Sequence, residues 1–367
     1  MMFGPKAYIN KTYFKNNLRK IRKYIGNRNL MLVVKANAYG HGALEISSLI
    51  KNESWLILCV FTIKEAIQLR NYGIKNKILI FSRIEKEWLA VAVKKGFSVN
   101  ISNLNDFSII SEFYIKTNSC PSFHLKFDTG MTRLGFEKKD LKQVLDFLSK
   151  NKTLPLEGIY SHFATADEGD LSYAMHQLAQ FNKILDRIKE KYNIPYIHCS
   201  NSGAILNIPE SYFNTVRVGM LAYGVLPSEE VSMKINLEPV MSFCGSIVNI
   251  RRVKTGTQIS YGGIYKTKSD TNIVVVQTGF ADGLPREWYK NGFVSYKGEY
   301  YKIAGRVCMD QLMIDFKNIY PREGEEVLFF GKKDGNIIRV ENIAKKINTT
   351  PYVLLTAIRG RTERLVF

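Results

Sequence analysis

Residues 31–81 read MLVVKANAYGHGALEISSLIKNESWLILCVFTIKEAIQLRNYGIKNKILIF, and their texture decides the fold. Three apolar runs, MLVVK (31–35), WLILCVF (55–61) and KILIF (77–81), have the length and continuity of strands buried on both faces. The segments between them, EISSLIKN (45–52) and TIKEAIQLRNYG (62–73), space their apolar residues as an amphipathic helix does. Strand, helix, strand at this spacing predicts parallel strands joined by crossover helices.

The same alternation continues outward. Strand-like runs follow at FSVNIS (97–102), SFHLKFD (122–128), EGIYSH (157–162), YIHCS (196–200) and TVRVG (215–219), with helical periodicity in DLKQVLDFLSKN (140–151) and HQLAQFNKILDRIKEKYN (176–193). Eight such runs fit a closed α/β barrel of the (β/α)8 TIM type over residues 8–233; on pattern alone a doubly wound sheet stays open. Beyond about residue 230 the texture changes. VMSFCGSIVNIRRV, TNIVVVQTGF, NGFVSYKGEYYKIAGRV, QLMIDF and EEVLFFG are strand-like, joined by Gly- and Asp-containing turns, and helical periodicity returns only at ENIAKKIN (341–348). This reads as a C-terminal, mostly antiparallel β domain, residues 234–367, with residues 1–7 a candidate addition to it.

Composition narrows the function classes. The 367 residues are 46% hydrophobic and 23% charged, enough for a sizeable core. The N-terminus has no apolar signal core and no run approaches the roughly 20 residues needed to cross a bilayer, so a cytoplasmic protein is expected. Five scattered cysteines without a CxxC pair exclude a disulfide framework and give no zinc pattern; no metal is expected. The net charge of +19 raises nucleic acid as a partner, but Lys and Arg are spread along the whole chain without a recognition motif, and no specific nucleic-acid binding is expected.

In a barrel, chemistry sits at the C-terminal strand ends. Lys35 closes the first run. Partial desolvation there would lower its pKa and make it a nucleophile, although a lysine at a strand exit also reaches water without any further role. The loops after the seventh and eighth runs, HCSNSGAIL (198–206) and RVGMLAYG (217–224), offer Asn201, Ser202, Gly203 and Gly219, the groups of a phosphate cradle. A phosphate site facing a strand-end lysine is the layout of a pyridoxal-phosphate (PLP) pocket. Other strand ends carry Lys126, Asp128 and Arg133 (LKFDTGMTRLGF), His162 (YSHFATAD) and Arg217. In the β domain ISYGGIY places Tyr261 before a glycine pair, on a turn, with a core role as the alternative.

Taken in order, VVKANAYGHG, KFDTGMTRLGF, SHFATAD, HCSNSGAIL, RVGMLAYG, ISYGGIY, TGFADGLPRE and GRVCMDQ resemble the alanine racemase family, two-domain PLP enzymes, across nearly the whole chain. The resemblance implies that Lys35 carries PLP covalently, and that Tyr39, Ser202 and the backbone of Gly219 and Met220 hold its phosphate. It implies that Arg217, supported by His198, meets the pyridine nitrogen, which an arginine leaves unprotonated. Lys35 and Tyr261 would be the two bases of racemisation, one on each face, the tyrosine coming from the other subunit of a head-to-tail homodimer. A free tyrosine titrates near about 10, so Tyr261 needs cationic neighbours, and His162 is the expected one. Arg133 would meet the cofactor's phenolic oxygen and the substrate carboxylate, aided by the amide of Met309. Lys126 stands where the family often carries a carbamylated lysine. Asp167, Arg286 and Arg306 match residues of the entrance.

Two departures are visible. Phe280 stands where tyrosine is common, and Gly360, in AIRGRTER, falls where some members place a phosphate-contacting tyrosine. The implied activity is interconversion of L- and D-alanine, supplying D-alanine for peptidoglycan. Alternatives are a racemase of other amino acids, a PLP decarboxylase of the same fold, and a non-catalytic PLP-binding protein.

Overall fold

The computed structural model describes residues 3–233 and 235–367. Strand β1 (Pro5–Ile9) is followed by the helix Lys11–Ile25, whose cap Asn10 accepts the Tyr13 N–H. Eight parallel strands come next: β2 (Asn29–Val33), β3 (Leu56–Val60), β4 (Ile78–Arg83), β5 (Phe97–Ile101), β6 (Phe123–Lys126), β7 (Leu156–Tyr160), β8 (Tyr196–His198) and β9 (Thr215–Val218). Their order, β8-β7-β6-β5-β4-β3-β2-β9, brings the last strand beside the first. At the seam the Arg217 N–H donates to the Ser200 carbonyl at 3.1 Å, leaving a nearly closed TIM-like barrel. The barrel alternative of the sequence is the observed one.

The physical causes are those of the sequence pattern. Every residue of β3 and β5 is buried, as strands covered by helices on one side and barrel interior on the other must be. The helix Ser172–Lys189 buries Ala174, Leu178, Phe181, Ile184, Leu185 and Ile188, a stripe at helical spacing. Thr62 and Glu65 form a capping box at the head of the helix Ile63–Asn71.

The second sheet contains β10 (Met241–Val253), β13 (Thr271–Val276), β14 (Phe293–Tyr296), β15 (Glu299–Ile303), β16 (Leu312–Asp315), β17 (Glu326–Lys333), β18 (Asn336–Ile338) and β19 (Glu363–Val366); a ribbon of β11 (Gln258–Ile259) and β12 (Tyr265–Lys266) stands apart. All pairings are antiparallel except β1 with β19. Strand β1 pairs along its whole length with β10, Ala7 opposite Phe243, because its alternate residues Ala7 and Ile9 fill that sheet's core. Tyr8 and Ile9 therefore sit in the second sheet rather than in the barrel.

The C-terminal segment returns to the barrel mouth. Arg364 Nε donates to the Gly40 carbonyl at 2.8 Å, and a Cβ on Gly40 would stand 2.0 Å from the Leu355 carbonyl oxygen. Only glycine allows that approach.

Candidate active site

The turn after β2 carries the first candidate residue. From Ala36 to Tyr39 the backbone runs as one turn of left-handed helix, with φ of 52°, 54°, 52° and 51°. Each non-glycine residue in this region costs about 1–2 kcal/mol, so the surroundings must impose it. Glu65 accepts the Ala36 N–H at 2.7 Å and also binds the amides of Phe61 and Thr62. Asn37 Oδ1 accepts the Ala43 N–H, and the His41 ring reaches the carbonyls of Ala38 and Tyr39. Lys35 and Tyr39 thereby face one cavity.

That cavity, of about 500 Å³, opens at the C-terminal ends of the barrel strands. Its walls include Lys35, Tyr39, Lys126, Arg133, His162, Asn201, Ser202, Arg217 and Gly219, so nine sequence candidates meet in one place. Four carry basic side chains and, among the described residues, no carboxylate lines the wall, which suits an anionic occupant. A larger cavity of about 610 Å³, lined by Gly224, Leu237, Arg339 and Pro351 among others, lacks this chemistry: Arg339 is spent on the carbonyls of Gly224 and Leu237, and Glu341 on the Leu226 amide.

Charge crowding shifts these groups. Burial and then the Arg133 charge lower the pKa of Lys35 below the ordinary lysine range. The same two causes bring Lys126 down to about 8. Asp128 shapes the loop that carries Arg133: its carboxylate accepts the amides of Gly130, Met131, Thr132 and Arg133. On the opposite wall Asn201 caps the helix Ser202–Asn207, and Ser202 Oγ accepts the Gly219 amide at 3.2 Å. A Cβ on Gly219 would stand 2.8 Å from Tyr39 Oη, so glycine keeps this cradle open. Met220 is buried behind it, and Asp167 packs against Gly203.

Arg217 is buried and densely bonded. Nη1 reaches His198 Nδ1 at 2.7 Å and the His198 carbonyl; Nη2 reaches the carbonyls of Ser161 and Cys199, and His162 Nδ1 at 3.1 Å. Burial, then the charges of Arg217, Arg133 and Lys126, hold His162 well below its usual pKa. His162 is therefore neutral, which corrects its expected role: it cannot be the cation beside Tyr261.

The remaining candidates gather elsewhere. Tyr261 begins a short turn in the β domain and is 65% exposed. Arg306 lies against the adjacent Gly262, Ser260 Oγ donates to the Arg306 carbonyl, and Cys308 approaches Ser260. The exposed Phe280 and Met309 are tied together by the Phe280 amide on the Cys308 carbonyl and the Ala281 amide on the Met309 carbonyl. Arg286 is exposed on the same domain. None of these lines the cavity around Lys35.

Sequence reading missed Tyr352, which lines the cavity with its ring 5.8 Å from that of Tyr39. Gly360 is instead a turn residue at φ 66° with open space around it, so it does not replace a cavity tyrosine. The usable signal was TTPYVLL, a proline-started helix with an early aromatic. Tyr160, Phe61 and Phe81 were also missed as wall residues; apolar strand residues carry no mark of which face they line.

A strand-end lysine in a cationic barrel cavity, with a separate β domain behind it, defines a two-domain barrel enzyme for a small anionic ligand. Residues 9–227 match the model of the alanine racemase N-terminal domain and residues 240–366 that of the C-terminal domain. The chain belongs to the alanine racemase family. It is 38% identical to alanine racemase 2 of Caldanaerobacter subterraneus over 98% of this chain and 94% of that protein. It is 35% identical to the alanine racemase of Methanococcus maripaludis over 98% and 97%. Among solved structures, the alanine racemase of Clostridium difficile 630 superposes with a TM-score of 0.92 at 34% identity, over 99% and 95% of the two chains. The Bacillus anthracis alanine racemase with bound L-Ala-P gives 0.89 at 30% identity, over 100% and 95%.

Proposed function

We propose that this chain is an alanine racemase that interconverts L- and D-alanine with PLP, Lys35 and Tyr261 being the two bases. The observation that carries the reading is Lys35, its pKa lowered, in a cavity of four cations facing the Ser202–Gly219 cradle. The cavity fits PLP. The cradle, kept open because a Cβ on Gly219 would meet Tyr39, suits a phosphate, and the cations suit the remaining negative charge. Tyr39, Tyr352, Ser202, Gly219 and Met220 would hold the phosphate, Lys35 would bind the cofactor covalently, and Arg217 would meet its ring nitrogen. When bound, PLP acidifies the α-hydrogen of an attached amino acid.

The residues of the chain do the rest. The amine of Lys35, its pKa lowered by burial and by Arg133, removes a proton from one face of Cα or returns it. Arg133 orients the substrate carboxylate with the Met309 amide. Tyr261 acts on the other face, and because it lies outside its own chain's cavity, it would reach the cavity of a second copy in a head-to-tail homodimer. His162, with Nδ1 turned to Arg217, is left with an Nε2–H to donate to that tyrosine's oxygen. Arg306, Arg286 and Asp167 would frame the entrance. Lys126, with a pKa of about 8, is nucleophilic enough to take up carbon dioxide, releasing a proton and forming a carbamate that would neutralise Arg133. The product D-alanine would serve peptidoglycan synthesis in a cytoplasmic setting.

Purified protein with PLP should erase the optical rotation of L-alanine, and Lys35→Ala should abolish this. Retained rotation with alanine and every other L-amino acid, despite bound PLP, would sink the racemase reading. Loss confined to larger amino acids would move the substrate and point to Phe280.

A further inference from the structure

Arg217 is 4% exposed, yet among the described residues none of its guanidinium's hydrogen-bond partners is a carboxylate. A buried cation without a counter-charge is costly. Beyond His198 the contacts continue across the barrel interior. His198 Nε2 lies 2.9 Å from His124 Nδ1, and His124 Nε2 lies 3.4 Å from Glu157 Oε2. Glu157 also binds Lys77 Nζ at 2.6 Å and the Ser98 hydroxyl.

The direction of this chain follows from its ends. Arginine only donates, so His198 Nδ1 must be bare and accept. A neutral His198 then carries its proton on Nε2 and donates to His124 Nδ1. That nitrogen must be bare in turn, which leaves the His124 proton on Nε2, facing the carboxylate. No other assignment satisfies all the links. The packing is built for these rings: a Cβ on Gly158 would stand 2.1 Å from His124 Nδ1. His124 stacks on Tyr196 and His198 on Tyr160, each with an interplanar angle of 7°.

We propose that His124 and Glu157 are positioning residues for Arg217: a one-way chain, Arg217 to His198 to His124 to Glu157, locks both imidazoles as Nε2–H tautomers and lends the buried guanidinium the charge of a carboxylate near the N-terminal end of β7. Among the described residues Nε is the one guanidinium nitrogen of Arg217 without a hydrogen-bond partner, and Arg217 lines the cavity. The functional consequence rests on the PLP reading, but the tautomers do not.

The test is 15N NMR of the histidine-labelled apoprotein. His124 and His198 should each show a pyridine-type Nδ1 and a protonated Nε2. An Nδ1–H form, an imidazolium or averaged signals at either ring would overturn the chain, whatever the fate of the racemase reading. His124→Phe, or the smaller His124→Leu if the phenyl ring prevents folding, should keep the His198 tautomer that Arg217 sets but remove the acceptor of its Nε2–H, shifting that proton's resonance upfield in a protein of unchanged circular dichroism. PLP affinity should fall roughly tenfold, the scale of one hydrogen bond to a charged group, and kcat should fall with little change in KM. An unmoved His198 Nε2–H resonance together with unaltered PLP affinity would refute the positioning role.

Discussion

Lysine is the residue on which the chemistry turns, and its two occurrences in the cavity differ in kind. Lys35 ends a buried strand and was legible as a candidate from that position. Lys126 was legible as a strand-end cation, but its modification only through family resemblance, because nothing in HLKFD tells which charges will surround it. Protein kept under 13C-labelled carbon dioxide should show a carbamate resonance that is absent from Lys126→Met; no resonance in the native protein would leave Lys126 as a free amine. Tyr261 was legible as a turn tyrosine. The neutral state of His162 was not, since it follows from burial and from the charges of Arg217 on β9 and of Lys126 and Arg133 on β6 and its following loop. Tyr261→Phe should slow α-proton removal from L-alanine far more than from D-alanine, measured by isotope washout from each isomer. Equal losses would contradict the assignment of one base to each face.

At the scale of elements, all eight barrel strands lie within a few residues of the apolar runs that announced them, because a strand buried on both faces leaves a continuous signal. The left-handed turn at residues 36–39 left none: ANAY contains no glycine, and the conformation is imposed by Glu65, Ala43, Arg364 and other distant partners. Ala36 is exposed, so Ala36→Gly removes about 1–2 kcal/mol of left-handed strain and returns about 0.5–1 kcal/mol as chain entropy. A net rise in Tm is expected, and a fall would show that the turn is not strained there. Strand β7 carries Glu157. Burial would raise its pKa, but the bonds from His124, Lys77 and Ser98 bring it down to about 2 against an ordinary 4.5. Its contribution, on the order of 2 kcal/mol, is present above pH about 4.5 and vanishes as pH falls toward 2. The stability gap between the native protein and Glu157→Gln, from denaturant melts, should close over that interval; a gap constant with pH would mean the carboxylate charge contributes nothing.

For the whole molecule, two groups of candidate residues stand on separate surfaces, one inside the barrel mouth and one exposed on the β domain. Texture alone separated the domains, but the placement of β1 in the second sheet and of Tyr352 in the barrel cavity depends on contacts hundreds of residues apart. Two copies arranged head to tail would unite the groups, and that union is the central claim. The most direct measurement is subunit complementation: inactive Lys35→Ala and inactive Tyr261→Ala proteins are mixed, allowed to exchange, and assayed for loss of rotation of L-alanine. Random exchange makes half the dimers hybrid, each with one intact site of two, so about a quarter of native activity should return. No recovered activity, with hybrid dimers demonstrated in the mixture, would contradict a site shared between subunits.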